Sequence, residues 1–182
     1  MKLFVCLLLA ALSPSIVFAN PATDLLPSAE APAAPAFPVT SPERWLNSPP
    51  LTWGALRGKV VLVDFWTFDC WNCFRSFPWL TDLETRLAQE DLQVVGVHSP
   101  EFDHEKVTRS IVEKAREFGL THPIVIDNDM HIWRAFENRY WPAYYLIDRQ
   151  GRVRARFVGE THAGDAQATA IEAAIQTLLT EE

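Results

Sequence analysis

The centre of the chain alternates between short apolar runs and segments with helical spacing. Residues 60–65 and 92–97 are β-branched and aromatic runs of the length of buried strands. Between them, apolar side chains recur through residues 74–88 at intervals typical of a helix with one buried face. The pattern therefore predicts a strand, a helix and a second strand that share one core.

The same alternation continues towards the C-terminus. The further predicted elements are a helix over 105–118 with Gly119 as its C-cap, a short strand over 122–126, a short helix over 130–136, a hairpin of strands over 143–147 and 152–157, and a closing helix over 166–179. Residues 45–53, which contain Pro49 and Pro50, are expected to be irregular or a short edge strand. This order of elements predicts an α/β domain in three layers.

The N-terminal part of the chain has a different composition. Lys2 precedes an apolar run, and segment 1–19 ends at Ala19 with small residues in the positions that an export peptidase reads, which is typical of a cleaved signal peptide. An uncleaved membrane anchor is the alternative. Residues 20–42 are rich in Pro and Ala and predict a semi-extended linker. We therefore expect one folded domain over 43–182, periplasmic or secreted, and at a membrane only if the first segment is retained.

Charge and cysteine count argue against several classes of function. The 182 residues carry a formal net charge of −7, and no stretch collects Lys and Arg as a nucleic-acid or anionic-membrane surface requires. Cleavage after residue 19 would remove Cys6 and leave Cys70 and Cys73. Two sulfurs cannot build a four-cysteine zinc site, and the five histidines are scattered. We expect neither a metal centre nor a cofactor.

Cys70 and Cys73 lie where the first predicted strand passes through a loop into a helix. If the helix begins at Trp71, the two Cα atoms are roughly 5 Å apart, a separation that suits a disulfide. Unpaired N–H groups and the positive end of the helix dipole favour a thiolate at the first turn. The spacing therefore predicts that Cys70 attacks and that Cys73, one turn deeper, resolves the mixed disulfide.

These residues resemble the active-site segment of the thioredoxin superfamily. Asp64 lies six residues before Cys70, and Pro78 lies five after Cys73, as the buried acid and the kinking proline do in that family. Within the superfamily, the chain most resembles the exported TlpA, ResA and DsbE type, and particularly the thioredoxin-like domain of DipZ-type proteins. The resemblance rests on the segments VVLVDFWTFDCWNC, VVGVHSPEFDHEK, VIDNDMHIW and YWPAYYLIDRQGRV. The resemblance covers residues 51–160 and implies a three-layer α/β/α sandwich with a mixed central sheet and an extra strand and helix at residues 122–136.

The resemblance also implies a substrate-binding region. Pro142 matches a proline that is cis and lies beside the redox cysteines, and the backbone of Trp141 would pair with the substrate chain. An ordinary trans proline at the start of a strand is the alternative. We expect Trp71 and Trp141 to shape an apolar groove for a partner segment. Trp71 stands where many members of the family have proline, so the redox potential stays open.

Acids near the pair are candidates for proton transfer and electrostatic tuning. Burial in an apolar strand should raise the pKa of Asp64, which could then accept or return the Cys73 proton; a purely structural acid is the alternative. Asp69 disfavours a thiolate at Cys70 because both are negative. Glu101 follows the second strand and is either near the site or a solvated loop acid.

The sequence therefore predicts an exported thiol:disulfide oxidoreductase that acts on protein cysteines and leans towards reduction. A membrane-bound reductase that recharges the pair, an apocytochrome and folding clients with wrong disulfides are all compatible partners. Two other classes stay open. A thiol peroxidase would need a threonine and an arginine around the attacking cysteine, and Thr67 is the nearby threonine. A redox-inactive binding module would keep the cysteine pair only as a small structural disulfide.

Overall fold

A computed structural model of the chain describes residues 25–181. Its strands are β1 (Trp45–Leu46), β2 (Val60–Trp66), β3 (Leu92–His98), β4 (Ile124–Ile126), β5 (Ala143–Ile147) and β6 (Val153–Val158). Its helices are α1 (Trp71–Arg86), α2 (Thr108–Glu117), α3 (His131–Ala135) and α4 (Ala166–Thr180), with short 3-10 turns at Pro42–Arg44 and Asp103–Lys106. The predicted signal segment, 1–19, lies outside the described residues. Within residues 25–181, no helix has the length and apolar character needed to cross a membrane.

β2 lies at the centre of a six-stranded mixed sheet with the order β1-β4-β3-β2-β5-β6. It is parallel to β3 and antiparallel to β5. All seven residues of β2 are buried, which explains why its sequence is almost continuously apolar instead of alternating. β4 and α3 supply the extra strand and helix between α2 and β5 that the family resemblance implies. The three-layer α/β sandwich is confirmed.

Side chains of β2 point alternately to two hydrophobic clusters, one on each face of the sheet. The first cluster joins the even-numbered positions of β2 to side chains of α1, α2 and α4. The second joins the odd-numbered positions to α3 and to Ala34, Phe37 and Val39. Asp64 is at an even-numbered position, so its side chain points to the same face as α1 and the cysteine pair.

The structure differs from the predicted linker at residues 25–42, which we call the N-terminal strap. The Ala34 amide donates to the Gly151 carbonyl at 2.8 Å, and Phe37 and Val39 are buried. Because α3 has only five residues, it leaves part of the second cluster uncovered, and the strap packs there. The high proline content concealed these apolar side chains in the sequence pattern.

The predicted helix over 105–118 is divided in the structure. A 3-10 turn at Asp103–Lys106 is followed by Val107 in an extended conformation, with φ −74° and ψ 104°, and α2 begins at Thr108–Glu117. The break turns the side chain of Glu105 into the protein, where it is completely buried. The other predicted helices and strands are present in the predicted order.

Candidate redox site

The redox loop, residues 67–70, connects the end of β2 to the start of α1. Cys70 has extended backbone and caps α1, with its Sγ accepting a hydrogen bond from the Cys73 amide at 3.2 Å. Cys70 and Cys73 form a disulfide with a Cα–Cα distance of 5.3 Å, as the spacing predicts. Cys73 is completely buried, whereas Cys70 is only partly buried. Of the two sulfurs, the one at Cys70 is therefore the one that a partner can reach.

Asp64 is buried in the centre of β2, with its side chain on the face of the sheet that carries α1. It is 1% exposed, and neither carboxylate oxygen has a hydrogen-bond partner among the described residues. Because burial penalises the ionised form, the pKa of Asp64 is raised to about 8. The predicted direction of this pKa shift is confirmed, and its role in proton transfer stays a prediction.

The peptide bond between Trp141 and Pro142 is cis, as the resemblance implies. Pro142 directly precedes β5, whose first residue, Ala143, pairs with Phe65 of β2. Pro142 therefore lies beside the end of β2, where the redox loop begins. The sheet pairing thus places this proline near the start of the redox loop, although the two are far apart in sequence.

An open groove of about 270 Å³ adjoins Cys70. It is lined by Phe68, Asp69, Cys70, Trp71, Phe74, Glu117 and Phe118. Trp71 is 66% exposed, and the ring of Phe74 lies 5.5 Å from it and 5.3 Å from that of Phe118. We call this surface the aromatic groove.

Trp141 does not line the aromatic groove, because its indole packs on that of Trp133, with ring centroids 4.1 Å apart. The groove expected from Trp71 and Trp141 is thus formed by Trp71 and two phenylalanines, of which Phe74 follows Trp71 at helical spacing.

A buried polar cluster lies behind the redox loop. Thr67 donates from its hydroxyl to Glu105 Oε1 at 2.5 Å, and the same hydroxyl lies 3.4 Å from His98 Nε2. Burial lowers the pKa of His98 to about 4, so its imidazole is neutral at pH 7. The sequence points to Glu101 in this loop, but the side chain of Glu101 is exposed. The buried acid is instead Glu105, four residues further along the chain. The sequence pattern placed Glu105 at the start of a predicted helix and gave no sign that its side chain is buried.

Asp69, next to Cys70, has a partner that the sequence does not indicate. Its Oδ2 lies 2.5 Å from His104 Nε2, and both side chains are about half exposed. The carboxylate expected to oppose a thiolate at Cys70 is therefore paired. Within the described part of the chain, no group of three His, Cys, Asp or Glu side chains is placed to hold a metal ion.

Comparison with known proteins places this site in a family. The Redoxin family matches residues 29–175. Protein DipZ of Mycobacterium tuberculosis is 41% identical over 140 residues, which are 75% of this chain but only 19% of DipZ. The thiol-disulfide oxidoreductase YkuV of Bacillus subtilis is 34% identical, over 64% of this chain and 78% of YkuV. The thiol-disulfide oxidoreductase ResA of Geobacillus thermodenitrificans is 30% identical, over 87% of this chain and 86% of ResA.

Solved structures show the same architecture. The crystal structure of a thioredoxin-like superfamily protein aligns with a TM-score of 0.73 at 26% identity, covering 84% of this chain and 99% of that one. The chain spans less than a fifth of the DipZ proteins that it matches, so the likeness to them concerns one domain. By the family match, the relatives and the fold, the chain belongs to the Redoxin family and is a TlpA/ResA/DsbE-like member of the thioredoxin superfamily.

Proposed function

We propose that this protein is a thiol:disulfide oxidoreductase that exchanges disulfides with cysteines of other proteins. The observation that carries the proposal is the Cys70–Cys73 disulfide at the start of α1, with one sulfur partly exposed and the other fully buried. The helix N-terminus favours the thiolate that exchange needs. The relatives YkuV and ResA, which are named thiol-disulfide oxidoreductases, support the same activity.

Exchange begins when the Cys70 thiolate attacks a sulfur of the partner disulfide. The partner S–S bond breaks, a mixed disulfide forms at Cys70, and the partner's first thiolate leaves and takes up a proton. Cys73 then loses its proton and attacks the Cys70 sulfur, which releases the partner's second thiolate. Two electrons have passed to the partner, and the Cys70–Cys73 disulfide is restored. The same steps in reverse oxidise a partner dithiol.

Asp64 is suited to take the proton that Cys73 loses. Its pKa of about 8 lies close to neutral pH, where a general acid or base works most effectively. Its side chain points to the face of the sheet that carries α1, and it has no described hydrogen-bond partner to hold it in one ionisation state. Transfer through an intervening water is compatible with this placement.

The partner segment is proposed to bind on both sides of Cys70. The aromatic groove offers Trp71 and Phe74 as apolar contacts, and the backbone of Trp141, beside the cis Pro142, offers hydrogen-bonding groups. We further propose that the protein is exported, acts as a reductant and is recharged by a membrane-bound reductase. Support for these points comes from the signal-like pattern of residues 1–19 and from the resemblance to exported family members.

A peroxidase function finds no support in the geometry. The hydroxyl of Thr67 is buried and engaged with Glu105 instead of facing the Cys70 sulfur. Arg75, on the first turns of α1, is paired with Glu160 at 3.1 Å. The threonine hydroxyl and the arginine that a peroxide site would need thus both bind other side chains.

Equilibrium titration of the protein in glutathione and dithiothreitol buffers tests the proposal. We expect one two-electron transition at the reducing end of the thioredoxin-like range, and none in the matched control C70S/C73S. A transition at the oxidising end would overturn the reductant direction. A cysteine pair that shows no redox transition would overturn the proposed oxidoreductase activity and would favour the redox-inactive binding module.

A further inference from the structure

Glu105 is a buried acid to which the exchange chemistry assigns no step. Its side chain is completely buried, and its two oxygens accept four hydrogen bonds from two different segments. From the redox loop, Thr67 Oγ1 and the Asp69 amide donate to Oε1 at 2.5 and 3.1 Å. From the loop after β3, the amides of Glu101 and Phe102 donate to Oε2 at 2.7 and 2.8 Å.

One carboxylate therefore ties together the two loops that flank Cys70. Four donors suit an ionised carboxylate, because it has only acceptor sites and enough of them. A further hydrogen bond between these loops, from Asp69 to His104, is about half exposed and correspondingly weak, and the ring of Phe68 lies 6.0 Å from that of His104. The position of the Asp69 backbone, and hence of Cys70 directly after it, depends mainly on Glu105.

The contact with His98 fixes the direction of the hydrogen bonds in this cluster. Because Thr67 donates its only proton to Glu105, the Thr67 oxygen is left to accept from His98 Nε2, and we assign the Nε2–H tautomer on that ground. The neutral imidazole does not compensate the carboxylate charge. A single negative charge is thus held behind the redox loop, where it disfavours a thiolate at Cys70.

We propose, on the basis of the proposed function, that Glu105 is a positioning residue that holds the redox loop in place and tunes the exchange equilibrium of Cys70 and Cys73. It acts through the loop backbone and through its charge, without touching the partner. Removing the charge should favour the Cys70 thiolate and therefore the reduced pair.

The test compares E105Q with D148N in the full chain. Asp148 is also buried, and it accepts hydrogen bonds from the amides of Gln150 and Arg152, but it lies in the β5–β6 turn at the opposite end of the sheet. Both substitutions should lower the free energy of unfolding. Only E105Q should change the equilibrium constant with glutathione, by at least about threefold towards the reduced pair.

A second variant covers the case in which E105Q does not fold. T67V removes one of the four donors with little change in shape, and we expect its equilibrium constant to change by about twofold or more. The inference would be overturned if every variant that folds had the wild-type equilibrium constant with glutathione. It would also be overturned if D148N changed that constant as much as E105Q does. A wild-type protein that never titrates would overturn the proposed function itself, which distinguishes the two failures.

Discussion

The two cysteines of the redox pair have contrasting surroundings. Cys70 is partly exposed beside the aromatic groove, on a loop that Glu105 holds by hydrogen bonds. Cys73 is completely buried in the hydrophobic cluster on the α1 face of the sheet, the same face to which Asp64, an acid with no described partner, points. The side that meets a partner is open and held by polar contacts, while the side that resolves the mixed disulfide is closed and apolar.

The two buried acids show what this difference means physically. Four donors satisfy Glu105, so it serves as a fixed anchor for backbone. Burial without donors raises the pKa of Asp64 to about 8, so its ionisation is balanced near neutral pH. The same type of group can therefore be an anchor or a proton carrier, depending on the donors around it.

Replacing each cysteine separately gives the largest expected effect. C70S should abolish exchange with a protein disulfide, since no accessible sulfur is left to attack. C73S should still attack through Cys70 but stop at a mixed disulfide, because the resolving sulfur is missing. Mass spectrometry after incubation with a disulfide-bonded protein measures the trapped adduct. An adduct on C70S instead of C73S would reverse the assigned roles.

D64N should slow resolution by about tenfold or more at pH 8, where Asp64 is about half ionised, because Cys73 loses its proton acceptor. The measurement is the rate at which a glutathione mixed disulfide at Cys70 is released. D127N is the matched control, since Asp127 is another buried acid and accepts from the amides of Ile132 and Trp133. Equal rates in D64N and wild type would limit Asp64 to a structural role.

The stability of the same variant should depend on pH in a defined direction. The pKa of Asp64 is raised from 3.8 to about 8, so the folded protein keeps a proton that the unfolded chain has lost. Wild-type stability should therefore fall as pH rises from about 4 to about 8, and D64N should lack this fall. At pH 7 we expect D64N to be more stable by at least about 1 kcal/mol. Urea unfolding of the oxidised proteins at several pH values measures this; parallel curves for the two proteins would contradict it.

The smallest effect is expected at the aromatic groove. W71A should raise KM for a protein substrate by about threefold to tenfold, since an exposed aromatic contact is lost, and should leave the reaction with a small disulfide unchanged. V107A is the control, because Val107 is an exposed apolar residue, 51% accessible, that does not line the groove. If W71A affects both substrates equally, the groove does not bind partner protein.

Local pattern was sufficient to predict much of this molecule. The run around Asp64 and the spacing of Cys70 and Cys73 predicted the strand, the helix and the pair, because each depends on neighbours within a few residues. The strap was mispredicted, since its prolines obscured Phe37 and Val39, whose burial depends on a face of the sheet left open by α3. Glu105 was taken for one residue of a continuous helix.

What the sequence determines in this protein can thus be told apart from what only the tertiary structure determines. The sequence by itself determined the elements, their order, the reactive cysteine pair and the direction of the Asp64 pKa shift, because periodicity, spacing and burial in an apolar strand are local properties. Only the tertiary structure decided that Glu105 anchors the redox loop, that Phe118 completes the aromatic groove, and that Trp141 packs away from it. These contacts join segments distant in the chain, and their geometry exists only once the sheet has brought the loops at its edge together.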